Sequence, residues 1–251
     1  MSNNDLLSLL KIAVDSALRA GQFLTQSHEV SRRIHQEFAH DIKIDADRQS
    51  EKIILDYLRQ NSSIPILSEE TPSKDILQNS LRWVVDPIDG SFNFQRQIPL
   101  SCVSIGLWQG QDPLLGVVYD FYRSELFSGI VSKGAWLNDV PIKVSTTAAR
   151  ENAVLFSGFP AGIDLDTADF SPLLTQIRSY RKMRWVGSAA LSLAYVACGR
   201  ADAYYEKGIM LWDVAGAIPI VLGAGGLCRH DKSNGDFTYD VFASNGQLTS
   251  V

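Results

Sequence analysis

Trp83-Val84-Val85-Asp86-Pro87-Ile88-Asp89-Gly90-Ser91-Phe92-Asn93-Phe94 runs an apolar strand into two carboxylates, a proline and a glycine. Short β-branched and aromatic runs between turn residues read as buried strands, and the spacing predicts that this one ends at Val85. One aspartate after a strand is commonly a turn former or a helix N-cap, because its side chain bonds nearby backbone. Two of them, Asp86 and Asp89, exceed what one turn needs.

Other acids stand where apolar elements end. Glu69-Glu70 follow the strand Ile66-Leu67, and Asp213 opens a helix after Trp212. In layered α/β folds the ends of strands and the starts of helices meet at the crevice where ligands bind. Four or five carboxylates gathered there repel one another unless cations neutralise them. An oxygen-only donor set, without His or Cys, selects Mg²⁺, Mn²⁺ or Ca²⁺ over zinc. Magnesium uses few carboxylates per ion and works with substrate phosphate, so this many acids point to a phosphoryl site holding two or three ions. A helix beginning at Gly90-Ser91 would offer its N-terminus to phosphate oxygens.

Around this centre, Asn4 to Gln26 has helical apolar spacing, with Asn3 or Asn4 as the cap, and Asp47 to Arg59 forms a second amphipathic helix. Strands follow over Arg82 to Val85, Cys102 to Trp108, Leu115 to Phe121 and Glu125 to Val131. Ser188 to Cys198 and Asp213 to Leu222 read as helices, Ala203 to Tyr205 and Val241 to Ser244 as strands. Pro219 falls inside the last of these helices, where it should remove a hydrogen bond and kink the chain. Helices at both ends with strands between and after them predict a layered α+β architecture rather than a βαβ repeat. No repeat or linker divides the chain, so we expect one domain over 1–251 whose two lobes, roughly 1–145 and 146–251, share a core. Lys133 to Pro141 reads as the loop at the lobe edge.

Taken together, Glu69-Glu70-Thr71, then Asp86-Pro87-Ile88-Asp89-Gly90-Ser91, then Trp212-Asp213-Val214-Ala215-Gly216 with Ala224-Gly225-Gly226 resemble the ordered motifs of the inositol monophosphatase family across essentially the whole chain. The resemblance implies an αβαβα sandwich of the sugar-phosphatase kind and Mg²⁺-dependent hydrolysis of a small phosphate monoester. It implies that Glu69, Asp86 and the Ile88 carbonyl hold one ion, that Asp86, Asp89 and Asp213 hold a second, and that Glu69 with waters holds a looser third, Mn²⁺ being able to substitute. Asp47 would work with the Ser91 hydroxyl on the attacking water. Gly90 and Ser91 would meet the phosphate, and Gly187, Ser188, Ala189 and Glu206 the polyol. Ser188 reads equally well as a helix N-cap, and Glu206 as an exposed strand-end acid. Lithium sensitivity and a homodimer also follow from the resemblance.

The chain departs from that pattern at Ser91-Phe92, where two threonines are usual, and at Leu67-Ser68, where a glycine is common before the glutamate. Phe92 is expected to alter the wall of the phosphate pocket. Myo-inositol 1-phosphate is the default substrate. Fructose 1,6-bisphosphate, histidinol phosphate and 3′-phosphoadenosine 5′-phosphate are alternatives, and a non-catalytic binding or regulatory protein on the same scaffold is the alternative of another class.

The 251 residues carry 23 Lys and Arg against 28 Asp and Glu with the signs mixed, which leaves no basic footprint for nucleic acid. The longest uncharged runs fall short of the ~20 residues that span a bilayer, so no membrane role is expected. Cys102, Cys198 and Cys228 are widely spaced and read as free thiols in a reducing compartment. With no export signal legible at the N-terminus, a cytoplasmic location is expected. The four histidines show no ligand spacing and read as surface residues, while the five tryptophans read as core or packing residues. Asp45-Ala46-Asp47 lacks the threonine of the aspartyl-phosphate phosphatases, since Gln49 stands there.

Overall fold

The computed structural model describes residues 3–26, 34–37, 42–72, 80–159, 171–233 and 236–249. The first part of the chain forms α1 (Asn3–Gln26), β1 (Ile34–Glu37), β2 (Ile42–Ile44), α2 (Asp45–Asn61), β3 (Ile66–Ser68), β4 (Leu81–Asp89) and α3 (Ser91–Gln95). Then come β5 (Cys102–Gln109), β6 (Asp112–Asp120), β7 (Glu125–Ile130), β8 (Gly134–Leu137) and β9 (Val140–Pro141). The remainder supplies β10 (Val154–Ser157), α4 (Ser171–Ser179), β11 (Lys182–Arg184), α5 (Ala189–Ala197), β12 (Ala203–Met210), α6 (Leu211–Ala215), α7 (Ile218–Gly223), β13 (Leu227–Lys232) and β14 (Thr238–Ser244).

Two sheets carry the structure. The seven-stranded one has the order β3-β4-β5-β6-β7-β8-β9, and the five-stranded one the order β11-β10-β12-β14-β13. Side chains alternate across a strand. Trp83, Val85, Val103, Ile105, Leu107 and Val117 therefore share one face, buried with Ala13, Ala17 and Ala20 of α1 and Ile54 and Leu58 of α2. Val84, Cys102, Trp108, Val118 and Phe127 share the other face, packed with α5, α6, α7 and with Tyr204, Val241 and Ala243 of the small sheet. Beyond that sheet, Ala153, Leu155, Ala203, Phe242 and Leu248 close around Tyr180, which directly follows α4. This is the layered α+β arrangement that the sequence predicts.

A row of glycines sets the depth of the central helices. Gly106, Gly116 and Gly129 are cross-strand partners on β5, β6 and β7. A methyl group on any of them would run into helix backbone: Ala215 O at Gly106, Gly216 O at Gly116 and, 2.6 Å away, Ile220 Cα at Gly129. α6 and α7 therefore lie against the sheet with no side-chain layer between, and Trp108 Nε1 donates to Ala215 O at 3.0 Å.

Several expectations need correction. β4 does not stop at Val85 but continues through Asp89, with three residue steps from Asp86 to Asp89 facing two from Ser104 to Cys102. Pro87 has no N–H for the ladder, and the extra residue makes a bulge. The helix predicted over Asp213 to Leu222 is two helices, broken at Gly216-Ala217, so Pro219 stands in the first turn of α7 and costs no helical bond. Lys133 to Pro141 contains β8 and β9 and forms the edge of the large sheet. α1 already includes Asn3 and Asn4, so neither precedes it as a cap. Trp185 is not a core residue: it is 52% exposed and meets Phe159 edge-on, ring centroids 4.7 Å apart. His230 is half-buried, edge-on to Trp108 and 3.1 Å from Gln111 O. His28 and His40 lie outside the described residues.

Candidate active site

The bulge in β4 decides where the acids point. Strict alternation would send Asp86 and Asp89 to opposite faces of the sheet. The extra residue restores them to the same face, the one that meets α5 and α6, while Ile88 packs on the α1 side. Glu69 N donates to Val85 O at 3.2 Å, which extends the parallel pairing of β3 and puts Glu69 beside Asp86. Asp213 enters from the first turn of α6, at the depth that the glycine row allows.

Glu69, Asp86 and Asp213 each offer a carboxylate oxygen, and these oxygens all lie within 4.8 Å of one another. Asp86 is buried, and its Oδ1 accepts from Ile88 N at 3.0 Å. Burial, then the charges of Glu69, Asp89 and Asp213, pushes the Asp86 carboxyl well above the usual range; burial and the charge of Glu69 do the same to Asp213. A counter-charge would favour ionisation of Asp86 and Asp213. Their chemistry, carboxylate oxygens alone, fits a hard divalent cation.

Asp89 stands apart from that trio. Its Oδ2 accepts from Ser188 Oγ at 2.5 Å and Ala190 N at 2.7 Å, its Oδ1 from Ala189 N at 3.3 Å, and Cys102 Sγ lies 3.8 Å away. The carboxylate thus occupies the N-terminus of α5, where free N–H groups favour an anion. Burial lifts its pKa to about 6 against the lowering effect of these donors. Ser188 caps α5 as well, its Oγ accepting from Leu191 N at 3.2 Å.

Beside the trio, Ser91 Oγ lies 2.9 Å from both Asp47 Oδ1 and Ile88 O, between which its single proton chooses. Asp47 is buried in the first turn of α2, with Oδ2 accepting from Ile44 N at 2.8 Å, so its carboxylate plane is fixed from the other side. Ser50 Oγ on the next turn donates to Pro87 O at 3.0 Å and ties α2 to the bulge. Gly90, at φ +87°, turns the chain into α3, and a side chain there would press on Leu100 O and Gly187 O. Phe92 is 53% exposed, with the Arg96 guanidinium over its ring 5.2 Å from the centroid.

Across the crevice, Glu206 on β12 is buried and not the exposed acid that its strand-end position allows. Tyr204 Oη donates to its Oε2 at 2.7 Å. Burial raises its pKa to about 7, the tyrosine bond opposing and the charge of Asp89 adding. Asn93 Nδ2 donates to Leu100 O at 2.8 Å and Val186 O at 2.7 Å, pinning α3 to the turn that carries Gly187, Ser188 and Ala189. Asp47, Ser91, Ile88, Asp86, Glu69, Asp213, Asp89, Ser188 and Ala189 are thus linked by contacts or close approach, with Gly187 against Gly90 and Glu206 within electrostatic reach of Asp89 and Asp213.

Four contributors escape a reading of the sequence. Cys102 was legible only as a free thiol, yet it touches Asp89; Asn93 and Tyr204 read as motif filler and strand core, yet they staple and orient. Gly158 has a signal only in retrospect: a side chain there would strike the Glu206 carboxylate.

The family model for the inositol monophosphatase family matches residues 5–247. An inositol-1-monophosphatase of Synechocystis is 39% identical over 98% of this chain and 88% of its own length. A Nus factor SuhB of Haemophilus influenzae is 35% identical over 90% of this chain and 86% of its own. The solved inositol monophosphatase of Anabaena superposes with a TM-score of 0.84 at 34% identity, covering 97% of this chain and 92% of that one. With the acidic crevice formed by the same ordered motifs that first suggested it, the protein is a phosphoric monoester hydrolase and belongs to the inositol monophosphatase family.

Proposed function

We propose that the protein hydrolyses a small polyol or sugar monophosphate, with myo-inositol 1-phosphate the default, using two or three Mg²⁺ ions. The observation that carries this reading is the convergence of Glu69, Asp86 and Asp213 within 4.8 Å, beside the pair formed by Ser91 and Asp47. Glu69, Asp86, Asp213, the Ile88 carbonyl and, on the α5 side, Asp89 are the residues to hold the ions, with Mn²⁺ able to substitute. Bound there, a divalent cation neutralises the acids and supplies Lewis acidity toward phosphate and water.

The chain's own groups do the rest. Ser91 donates its proton to Asp47 Oδ1 and turns a lone pair toward the attacking water, so Asp47 serves as the base behind the hydroxyl. Glu69 serves both the cation and that water. Gly90 and Ser91 receive the phosphate, while Gly187, Ser188, Ala189 and Glu206 receive the leaving alcohol. A carboxylate accepting from hydroxyls suits a polyol. On this reading residues 1–145 form the lobe that carries most of the metal site, and 146–251 the lobe that carries most of the substrate site.

The reading extends to a cytoplasmic homodimer, inhibited by lithium, with no nucleic-acid or membrane partner; no helix among the described residues is long and apolar enough to cross a membrane. Phosphate release from inositol 1-phosphate, fructose 1,6-bisphosphate, histidinol phosphate and 3′-phosphoadenosine 5′-phosphate, each with Mg²⁺ and with chelator, tests it. Metal-dependent release greatest on the inositol ester supports the default, and a better turnover on another member reassigns the substrate. A second reading, a binding role on the same scaffold, has the relatives named Nus factor SuhB behind it. Protein that takes up Mg²⁺ yet releases no phosphate from any of the four would favour it.

A further inference from the structure

We propose that Tyr204 is a positioning residue for substrate selectivity: it holds the Glu206 carboxylate in one orientation and leaves Oε1 as the oxygen that receives a hydroxyl of the leaving group. The inference rests on the reading of Glu206 as the acceptor of the substrate alcohol.

Tyr204 and Glu206 are two residues apart on β12 and so share a face, the one turned toward the helices and the crevice. Both are buried, at 1% and 6% exposure. A buried phenol needs a hydrogen-bond partner, and Tyr204 Oη finds it in Glu206 Oε2 at 2.7 Å. Gly158 lies against the same carboxylate, nearest Oε2, where any side chain would collide with both oxygens. The backbone is held too: Ser157 Oγ donates to Tyr205 O at 2.6 Å, and Gly208 N donates to Asp240 Oδ1 at 2.9 Å where the pairing with β14 shifts register between Glu206 and Ile209. A carboxylate fixed by a phenol above, a bare glycine beside it and a tethered strand below cannot turn to follow its ligand. Such preorganisation gives discrimination between alcohols rather than general rate.

The hydrogen bonds just named involve none of Asp47, Ser91, Glu69, Asp86 and Asp213; the charge of Glu206 is felt at Asp213, and that influence is common to both substrates and cancels in a ratio. Loss of the phenol should therefore appear in the choice between leaving groups. The measured quantity is the ratio of kcat/KM for inositol 1-phosphate to kcat/KM for p-nitrophenyl phosphate, whose leaving group has no aliphatic hydroxyl. Tyr204→Phe should lower that ratio roughly three- to tenfold, mainly through KM for the inositol ester, the size expected for losing one hydrogen bond to a carboxylate. Glu206→Gln should lower it at least as far. In the double variant the tyrosine change should add less than a further twofold, because the group that it positions is already gone. Gly158→Ala, whose methyl group would strike the oxygen that Tyr204 bonds and displace the same carboxylate, should also lower the ratio and gives a second test if Tyr204→Phe folds poorly.

An unchanged ratio in Glu206→Gln would overturn the reading of Glu206 and the inference with it. A lowered ratio in Glu206→Gln, with Tyr204→Phe and Gly158→Ala unchanged, would overturn the role of Tyr204 alone. So would a Tyr204→Phe effect of equal size in the presence and absence of Glu206, since that would mark a purely structural contribution.

Discussion

Ser91 has one proton and two acceptors at 2.9 Å, and only the Asp47 direction leaves a lone pair backed by a base. Ser91→Ala should therefore keep divalent-cation affinity while kcat falls by roughly 10²- to 10⁴-fold, the range for a positioned general base; a parallel loss of Mg²⁺ binding by calorimetry would contradict the role. Glu206 makes a prediction about stability. Its folded-state pKa of about 7 lies above the ordinary carboxyl value of 4.5, so the stability that it contributes is complete below about pH 4.5 and is lost as the pH rises through 7. In chelated protein, the melting temperature of Glu206→Gln relative to wild type should rise between pH 4 and pH 8, and a flat difference would remove the assigned shift. Most of the acids were legible at this scale because several carboxylates at the ends of apolar runs exceed what turns and caps need, although any one of them alone has a structural explanation. Ser188 and Glu206 were ambiguous for a physical reason: capping a helix or ending a strand calls for the same residue types as binding a ligand. Ser188 caps α5 through Leu191 N and also bonds the Asp89 carboxylate.

Elements were read well where one face is buried and poorly where geometry depends on a neighbour. α1, α2, α5 and the strands β5, β6 and β7 follow from periodicity. The bulge at Pro87 does not, although proline inside a strand is its usual sign, and without it Asp89 would face away from α5. The split between α6 and α7 was missed because the apolar run from Val214 to Leu222 continues across it, while the break lies at Gly216, whose backbone is pressed against Gly116. Short strands at or next to a sheet edge, such as β8, β9 and β11, carry too few residues for alternation to register. The glycine row has its own consequence. Gly116→Ala should cost about 1–3 kcal/mol in stability through overpacking and should also weaken divalent-cation binding, since α6 must shift and Asp213 moves with it. Urea denaturation together with a cation titration checks both, and a destabilised variant with unchanged cation affinity would uncouple the row from the site.

For the molecule as a whole, burying this many acids side by side costs stability as the pH rises toward neutral, and a cation that neutralised them would offset that cost. Burial or repulsion raises the carboxyl pKa of Asp86, Asp89, Asp213 and Glu206, so each of these groups contributes stability at low pH that disappears as the pH climbs, Asp89 through about 6 and Glu206 through about 7. Saturating Mg²⁺ at pH 7.5 should raise the melting temperature of chelated protein, more than it raises that of Asp213→Asn; equal shifts would separate stabilisation from the carboxylate trio. The trio joins distant parts of the chain, since Asp213 comes from the later part and Glu69 and Asp86 from the earlier. The central claim is that this shared trio holds the cation on which hydrolysis depends. The most direct test is phosphate release from inositol 1-phosphate as Mg²⁺ is titrated into chelated wild-type protein and chelated Asp213→Asn. The account predicts saturable activation of the wild type from a negligible baseline, and a variant that stays near that baseline or needs far more Mg²⁺. Undiminished release in the presence of chelator, or superimposable curves for the two proteins, would contradict it.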